Sequence, residues 1–240
     1  MLQSGEIQVN GIDVTAPAPH LPASTRVYEA LRAQIISLAI PPGQRLSRPD
    51  LAQQFGVSAS PLREAIQQLE RDGLVATFRQ SRTVVTSIDR GQLQREHFLR
   101  TAVECEVVNT LAAMKDKEPL NKVSAIVKMQ RVLLEDHDQL DLFRKLDADF
   151  HQALFELAGQ GTLYQFSSER TIQMTRLRNL DLPSEGKLES VVNLHDNIVE
   201  TIRSGDRHAA TDAMRTHLSG TIARLPDIMT QYSEYFSKEI

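Results

Sequence analysis

The stretch RPDLAQQFGVSASPLREAIQQLERDGLV, residues 48–75, restricts the possible folds more than any other part of the chain. Ser47-Arg48-Pro49-Asp50 reads as a capping box with proline in the first turn of a helix. Leu51, Ala52 and Phe55 make the inner face of that helix, and Ala52 is small where a second helix must cross closely. Gly56 permits the positive φ of a tight helix-ending turn, and Val57 plugs the corner. Ser58 or Ser60 then caps a second helix with Pro61 near its start. Leu62, Ile66 and Leu69 face inward, and Gly73 ends it. These offsets suit two helices joined by a turn of about three or four residues. A plain helical hairpin in a core has the same needs, so the flanking sequence must decide.

Upstream, from Ser24, Val27, Leu31, Ile35 and Ile36 share a helical face that Pro41-Pro42-Gly43 terminates. Downstream, LVATFRQSRTVVTSI is rich in β-branched residues on both sides of Gln80-Ser81, which predicts a short hairpin. The set describes a winged helix-turn-helix. Its second helix enters the major groove of double-stranded DNA by its N-terminal end, and the hairpin lies along the backbone. Charge agrees: residues 24–88 hold eight Lys or Arg against five Asp or Glu, within a chain of net charge −4. Phosphate contacts should therefore be sought in this segment.

The run LRAQIISLAIPPGQRLSRPDLAQQFGVSASPLREAIQQLERDGLV resembles the winged helix-turn-helix of the GntR family of bacterial transcription regulators. Matching pieces are Pro42-Gly43-Gln44-Arg45-Leu46, Leu51-Ala52, Gly56-Val57-Ser58, Pro61-Leu62-Arg63-Glu64-Ala65 and Leu69-Glu70-Arg71-Asp72-Gly73-Leu74. The resemblance implies DNA contacts at Arg45, Ser58, Ser60 and Arg63. Two positions depart from the family pattern. Ala59 stands where an arginine usually follows the turn serine, and the wing tip reads Gln80-Ser81-Arg82-Thr83 in place of Arg-Gly. A lost arginine removes a possible guanine contact, worth roughly 1–3 kcal/mol of discrimination. A non-standard operator is expected, with Arg82, Arg48 or the N-terminal arm compensating.

Residues 1–23, with Pro17, Pro19 and Pro22 and no helical period, read as an extended arm. Asp89 is a candidate cap for a long helix. From there the chain is helical by period, broken near Lys117–Pro119, Glu135–Asp138, Gly159–Thr162, Pro183–Gly186 and Gly205–Asp206. About six helices in an all-α bundle are predicted. The fold class is thus mainly α: an arm at 1–23, a winged helix-turn-helix at 24–88, and a helical domain at 89–240.

Within that domain DLFRKLDADFHQALFELAG carries an apolar stripe of Leu142, Phe143, Leu146, Phe150, Leu154 and Leu157, and Asp147 and His151 fall in the same arc. Burying an unpaired carboxylate costs several kcal/mol, so it needs a partner there. His195 occupies an inward slot among Leu188, Val191, Ile198 and Ile202, and His217 one among Ala210, Met214, Thr221 and Leu225. One acid and three imidazoles on three helices suit a divalent metal: zinc, nickel, manganese or iron. A histidine-lined anion pocket without metal is the alternative. His20, His137 and His208 lie in the arm, a loop and a first turn, and His97 on the long helix is ambiguous.

Residues from about 93 to 225 resemble the helical effector domain of the FadR branch of GntR regulators, also called FCD. The resemblance rests on Arg100 and Glu104, Asp147-x2-Phe150-His151, His195, and Met214-x2-His217-Leu218. It implies a metal held by Asp147, His151, His195 and His217, and a small organic acid bound beside it. Such a carboxylate effector wants a cation, for which Arg100 comes first and Arg176 and Arg178 follow. The latter two, being two apart on a helix, cannot both face one cavity. The expected protein is a homodimeric regulator, by family habit a repressor relieved by ligand, and no enzyme. A regulator answering to the metal ion itself, and a metallohydrolase fused to a DNA-binding module, are the other readings. The second lacks a glutamate at general-base spacing.

Composition adds bounds. One cysteine, Cys105, excludes an internal disulfide and fits a reducing compartment. No apolar run nears the roughly 18 residues of a membrane span. No basic flank precedes an apolar stretch at the N-terminus, so a cytoplasmic location is expected.

Overall fold

The computed structural model describes residues 21–78, 82–135 and 139–237. The described chain divides into two compact units. One comprises the chain through Ile35 and Ala39–Thr86, and the other Ile36–Leu38 and Ser87 onward.

The first unit contains α1 (Ala23–Ile36), β1 (Arg45–Leu46), α2 (Arg48–Phe55), α3 (Ala59–Arg71), β2 (Val75–Phe78) and β3 (Arg82–Val85). The capping serine acts as its position demands: Ser47 accepts a hydrogen bond from the Asp50 amide, with Pro49 just behind. Gly56 ends α2 at φ 61°, a left-handed conformation that a Cβ would strain. Leu31 and Ile35 on α1, Leu51 on α2, Leu62, Ile66 and Leu69 on α3, and Val85 on β3 are all buried. The strands form one antiparallel sheet in the order β1-β3-β2, with Phe78 opposite Arg82 at the outer end of the hairpin. The hairpin tip, including Gln80 and Ser81, lies outside the described residues, as do residues 1–20 of the expected arm and His137.

The second unit is helical: α4 (Arg90–Ala113), α5 (Leu120–Val132), α6 (Leu140–Leu157), α7 (Gly161–Glu169), α8 (Ile172–Asp181), α9 (Lys187–Ser204), α10 (Arg207–Ala223) and α11 (Leu225–Gln231). Asp89 caps α4 by accepting from the Gln92 amide, and Lys117 closes its far end by donating to the Leu111 and Ala112 carbonyls, each at 2.8 Å. Asp206 caps α10 through the His208 and Ala209 amides. Apolar faces of α4, α5, α6, α9 and α10 pack into one core, with Val108, Val127, Phe143, Phe150, Val192 and Ile202 at its centre.

Three differences from the sequence reading stand out, and the first two have physical causes. The expected helix between Gly159–Thr162 and Pro183 is broken at Arg170–Thr171, with no proline or glycine there. The break is held from another helix: the buried Glu96 carboxylate on α4 accepts the Met174 amide at 2.8 Å and so caps α8 from outside. Near the C-terminus Pro226 opens a separate short helix, α11. Leu142, expected inward, is 43% exposed.

A second, smaller apolar cluster joins Ile88 and Leu93 to Met174, Leu177, Ile228 and Phe236. Beside it the chain end pairs with the segment that follows the wing. Ile88 donates to the Tyr235 carbonyl at 2.8 Å and accepts from the Ser237 amide at 3.0 Å.

Candidate metal centre and nucleic-acid interface

Three helices bring the four sequence-singled residues together. Asp147 and His151 lie one turn apart on α6, His195 on α9 and His217 on α10. One ligand atom from each lies within 4.8 Å of all the others. The three imidazoles meet through their Nε2 atoms: His217 to His151 at 3.2 Å, and His217 to His195 at 3.4 Å. His195 Nε2 also stands 3.7 Å from Asp147 Oδ1.

The chemistry of this donor set suits a metal. Metal–nitrogen bonds of 2.0–2.1 Å place two imidazole nitrogens about 2.9 Å apart at a right angle and about 3.4 Å apart at the tetrahedral angle. The observed separations lie in that range. The outer nitrogens also fix the tautomers. His151 Nδ1 is 2.6 Å from Glu104 Oε2, and His195 Nδ1 is 2.9 Å from Gln130 Oε1. Protons held at Nδ1 leave the Nε2 lone pairs of both rings directed at His217. A single proton on His217 could satisfy only one of them. A divalent cation satisfies all three.

Electrostatics point the same way. Burial pushes His195 down to about 3. Burial, and then the neighbouring His195 and His151, push His217 well below the usual imidazole range. Neutral imidazole is the ligand form. Burial alone would raise the Asp147 carboxyl, but Arg178, 2.9 Å away, and the nearby histidines hold it below the usual carboxylate range. Glu104 behaves alike: burial opposes its charge, and Arg100, with Nε at 2.8 Å, and His151 overcome that. Both acids are therefore anionic and already paired.

The three arginines expected near an effector separate. Arg100 is buried in its pair with Glu104. Arg178 pairs with Asp147 and keeps 24% of its side chain exposed. Arg176 is fully buried, donates to Gln173 Oε1 at 3.2 Å and lies in the field of Glu96. Sequence reasoning did not single out Gln130. It sits in the inward arc of α5 with Val123, Ile126 and Val127, a polar residue in an apolar stripe like Asp147.

On the first unit, Ser58, Ser60 and Arg63 are exposed at the start of α3, and Arg45 is exposed on β1. Arg48 is only half-buried, but its Nε donates to Thr83 Oγ1 at 3.1 Å and one amino group to Thr77 Oγ1 at 3.4 Å, tying α2 to the wing. Arg82 stacks over the exposed Phe78 ring, 4.7 Å from its centroid.

A winged helix-turn-helix followed in the chain by a helical domain with a candidate histidine–aspartate metal centre defines a class: DNA-binding transcription regulators. Residues 23–85 match the bacterial regulatory proteins of the gntR family, and residues 97–220, more than half of the chain, match the FCD domain. The chain belongs to the GntR family of HTH-type transcriptional regulators, in the branch with an FCD domain, a family of regulators and not of enzymes. It is 28% identical to the HTH-type transcriptional repressor RspR of Escherichia coli K12 over 92% of this chain and 96% of that one. It is 30% identical to an uncharacterized HTH-type transcriptional regulator in an unstable DNA locus of Streptomyces ambofaciens, over 89% of each. The crystal structure of a putative GntR regulator from Rhodococcus sp. RHA1 superposes with a TM-score of 0.70 at 24% identity, covering 85% of this chain and 97% of that one, which shows a shared fold. No described helix is long and apolar enough to cross a membrane.

Proposed function

We propose that this regulator is a homodimeric, cytoplasmic repressor whose operator binding is set by a small carboxylate bound at a divalent metal. In this reading residues 24–88 read DNA and residues 89–240 bind effector and dimerise. The observation that carries it is the convergence of Asp147, His151, His195 and His217 within 4.8 Å. Those residues would hold zinc, nickel, manganese or iron. A bound metal supplies Lewis acidity toward a carboxylate oxygen.

The cation for the acid is better sought in Arg178 than in Arg100. Arg178 touches Asp147 and remains partly open, whereas Arg100 is closed in its pair with Glu104. Arg176 faces the Glu96 side and is assigned no effector contact.

DNA contact is assigned to Ser58, Ser60 and Arg63 at the start of α3, to Arg45, and to Arg82 on the wing. The amides at a helix N-terminus and exposed cations suit phosphate and base edges. Arg48 serves first to hold the wing against α2. The name of RspR supports repression.

Dimerisation is supported by Phe98, 76% exposed on α4. It borders a surface groove of about 290 Å³ shared by α4 and α10, where Glu106 and Arg215 offer opposite charges. A two-fold contact would set each against the other.

The test is operator affinity measured with metal-stripped and metal-loaded protein against a panel of sugar acids, hydroxy acids and dicarboxylates. An acid that changes affinity only in the loaded protein supports the reading. A response to metal that no acid modifies would replace it with a metal-ion-responsive regulator.

A further inference from the structure

We infer that Gln130 is a positioning residue for the metal centre, holding His195 in the one tautomer and orientation that can bind a cation. The inference rests on the metal reading above. The outer nitrogens of the three imidazoles have three different surroundings. His151 Nδ1 meets the Glu104 carboxylate, and His195 Nδ1 meets the Gln130 amide oxygen. His217 Nδ1 is buried with no hydrogen-bond partner among the described residues.

Gln130 is completely buried on the apolar face of α5, and its Nε2 has no hydrogen-bond partner among the described residues. An amide buried with one end unsatisfied costs stability that leucine at the same place would not. What the glutamine does in exchange is accept one hydrogen bond, from His195 Nδ1–H, with Nδ1 2.9 Å from Oε1. That contact commits the ring to the Nδ1–H form and turns the Nε2 lone pair toward His217 and Asp147. The reverse amide orientation would place an N–H against Nδ1, move the ring proton to Nε2 and block metal binding. One face of the ring is fixed by Phe150, stacked at 3.8 Å between centroids and 10° between planes. Gln130 and Phe150 together leave His195 a single pose. Partners of this kind typically alter metal affinity by roughly 10–100-fold.

The experiment compares full-length wild type, Gln130→Leu and Gln130→Glu. Zinc affinity is read by competition with a chromophoric chelator, and imidazole protonation by nitrogen-15 NMR of the zinc-loaded protein. Gln130→Leu is expected to weaken zinc binding roughly 10–100-fold, without lowering the melting temperature of the metal-free protein. Gln130→Glu, which can only accept, restores or tightens binding. Wild type shows a protected Nδ1–H on His195. The inference is overturned by wild-type zinc affinity in Gln130→Leu, or by Gln130→Glu binding as weakly as the leucine variant. Absence of the protected proton in wild type overturns it as well, whether or not Gln130→Leu folds. Failure of wild type to bind zinc or any other divalent ion would remove the metal reading itself, a result distinct from these.

Discussion

Glu104 on α4 and His151 on α6 approach to 2.6 Å between Oε2 and Nδ1, both side chains buried, while Arg100 pairs with the other carboxylate oxygen. An arginine, a carboxylate and an imidazole thus form a chain that ends at the centre. Glu104→Gln keeps a hydrogen-bond acceptor but removes the charge that raises the donor strength of the imidazole. It also leaves Arg100 buried without its anion. Zinc affinity should fall roughly 10–100-fold. Isothermal titration of the metal-stripped variant checks it.

In the first unit, Arg63 is exposed on α3, the second helix of the helix-turn-helix. Arg63→Ala should weaken operator binding by roughly 1–3 kcal/mol and relax discrimination at one base step. Metal uptake should stay unchanged. A gel-shift titration at fixed salt measures this, and equal affinity of variant and wild type would refute the contact.

Dimerisation through the α4–α10 face predicts that Phe98→Glu converts the dimer to a monomer. Phe98 is so exposed that the protomer fold should tolerate the change. Light scattering coupled to gel filtration gives the mass directly. Cooperative operator binding should disappear with the dimer.

Asp181 is completely buried at the end of α8. It is held by Lys187 Nζ at 2.6 Å, Arg224 Nε at 2.9 Å and Thr221 Oγ1 at 3.0 Å. Asp181→Ala strands the buried Lys187 ammonium and should cost about 3–5 kcal/mol in urea unfolding. Lys145→Ala, which breaks the exposed Lys145–Asp149 pair on α6, should cost less than about 1 kcal/mol.

Several of these features are legible in the amino-acid order because their signals are local. Ser47, Gly56 and Asp89 act within four residues of themselves, and the sequence pattern finds them. Asp147 and His151 stand out because a polar pair interrupts an apolar period. Gln130 breaks the same rule on α5, yet a single uncharged amide is a weaker signal than an acid beside a histidine. The gap between α7 and α8 has no local signal. Its cap, Glu96, comes from 78 residues earlier in the chain. The choice between Arg100 and Arg178 is likewise a matter of which acid each meets, and spacing along one helix carries no such information.

The central claim is that three imidazoles and Asp147 close on one cation. Its most direct measurement is the metal content and affinity of wild type beside His195→Ala. The account predicts one divalent ion per chain in wild type. In His195→Ala it predicts loss of that ion and of any response to acids, with operator binding by the first unit retained. A His195→Ala protein that holds one tightly bound ion as wild type does would contradict it.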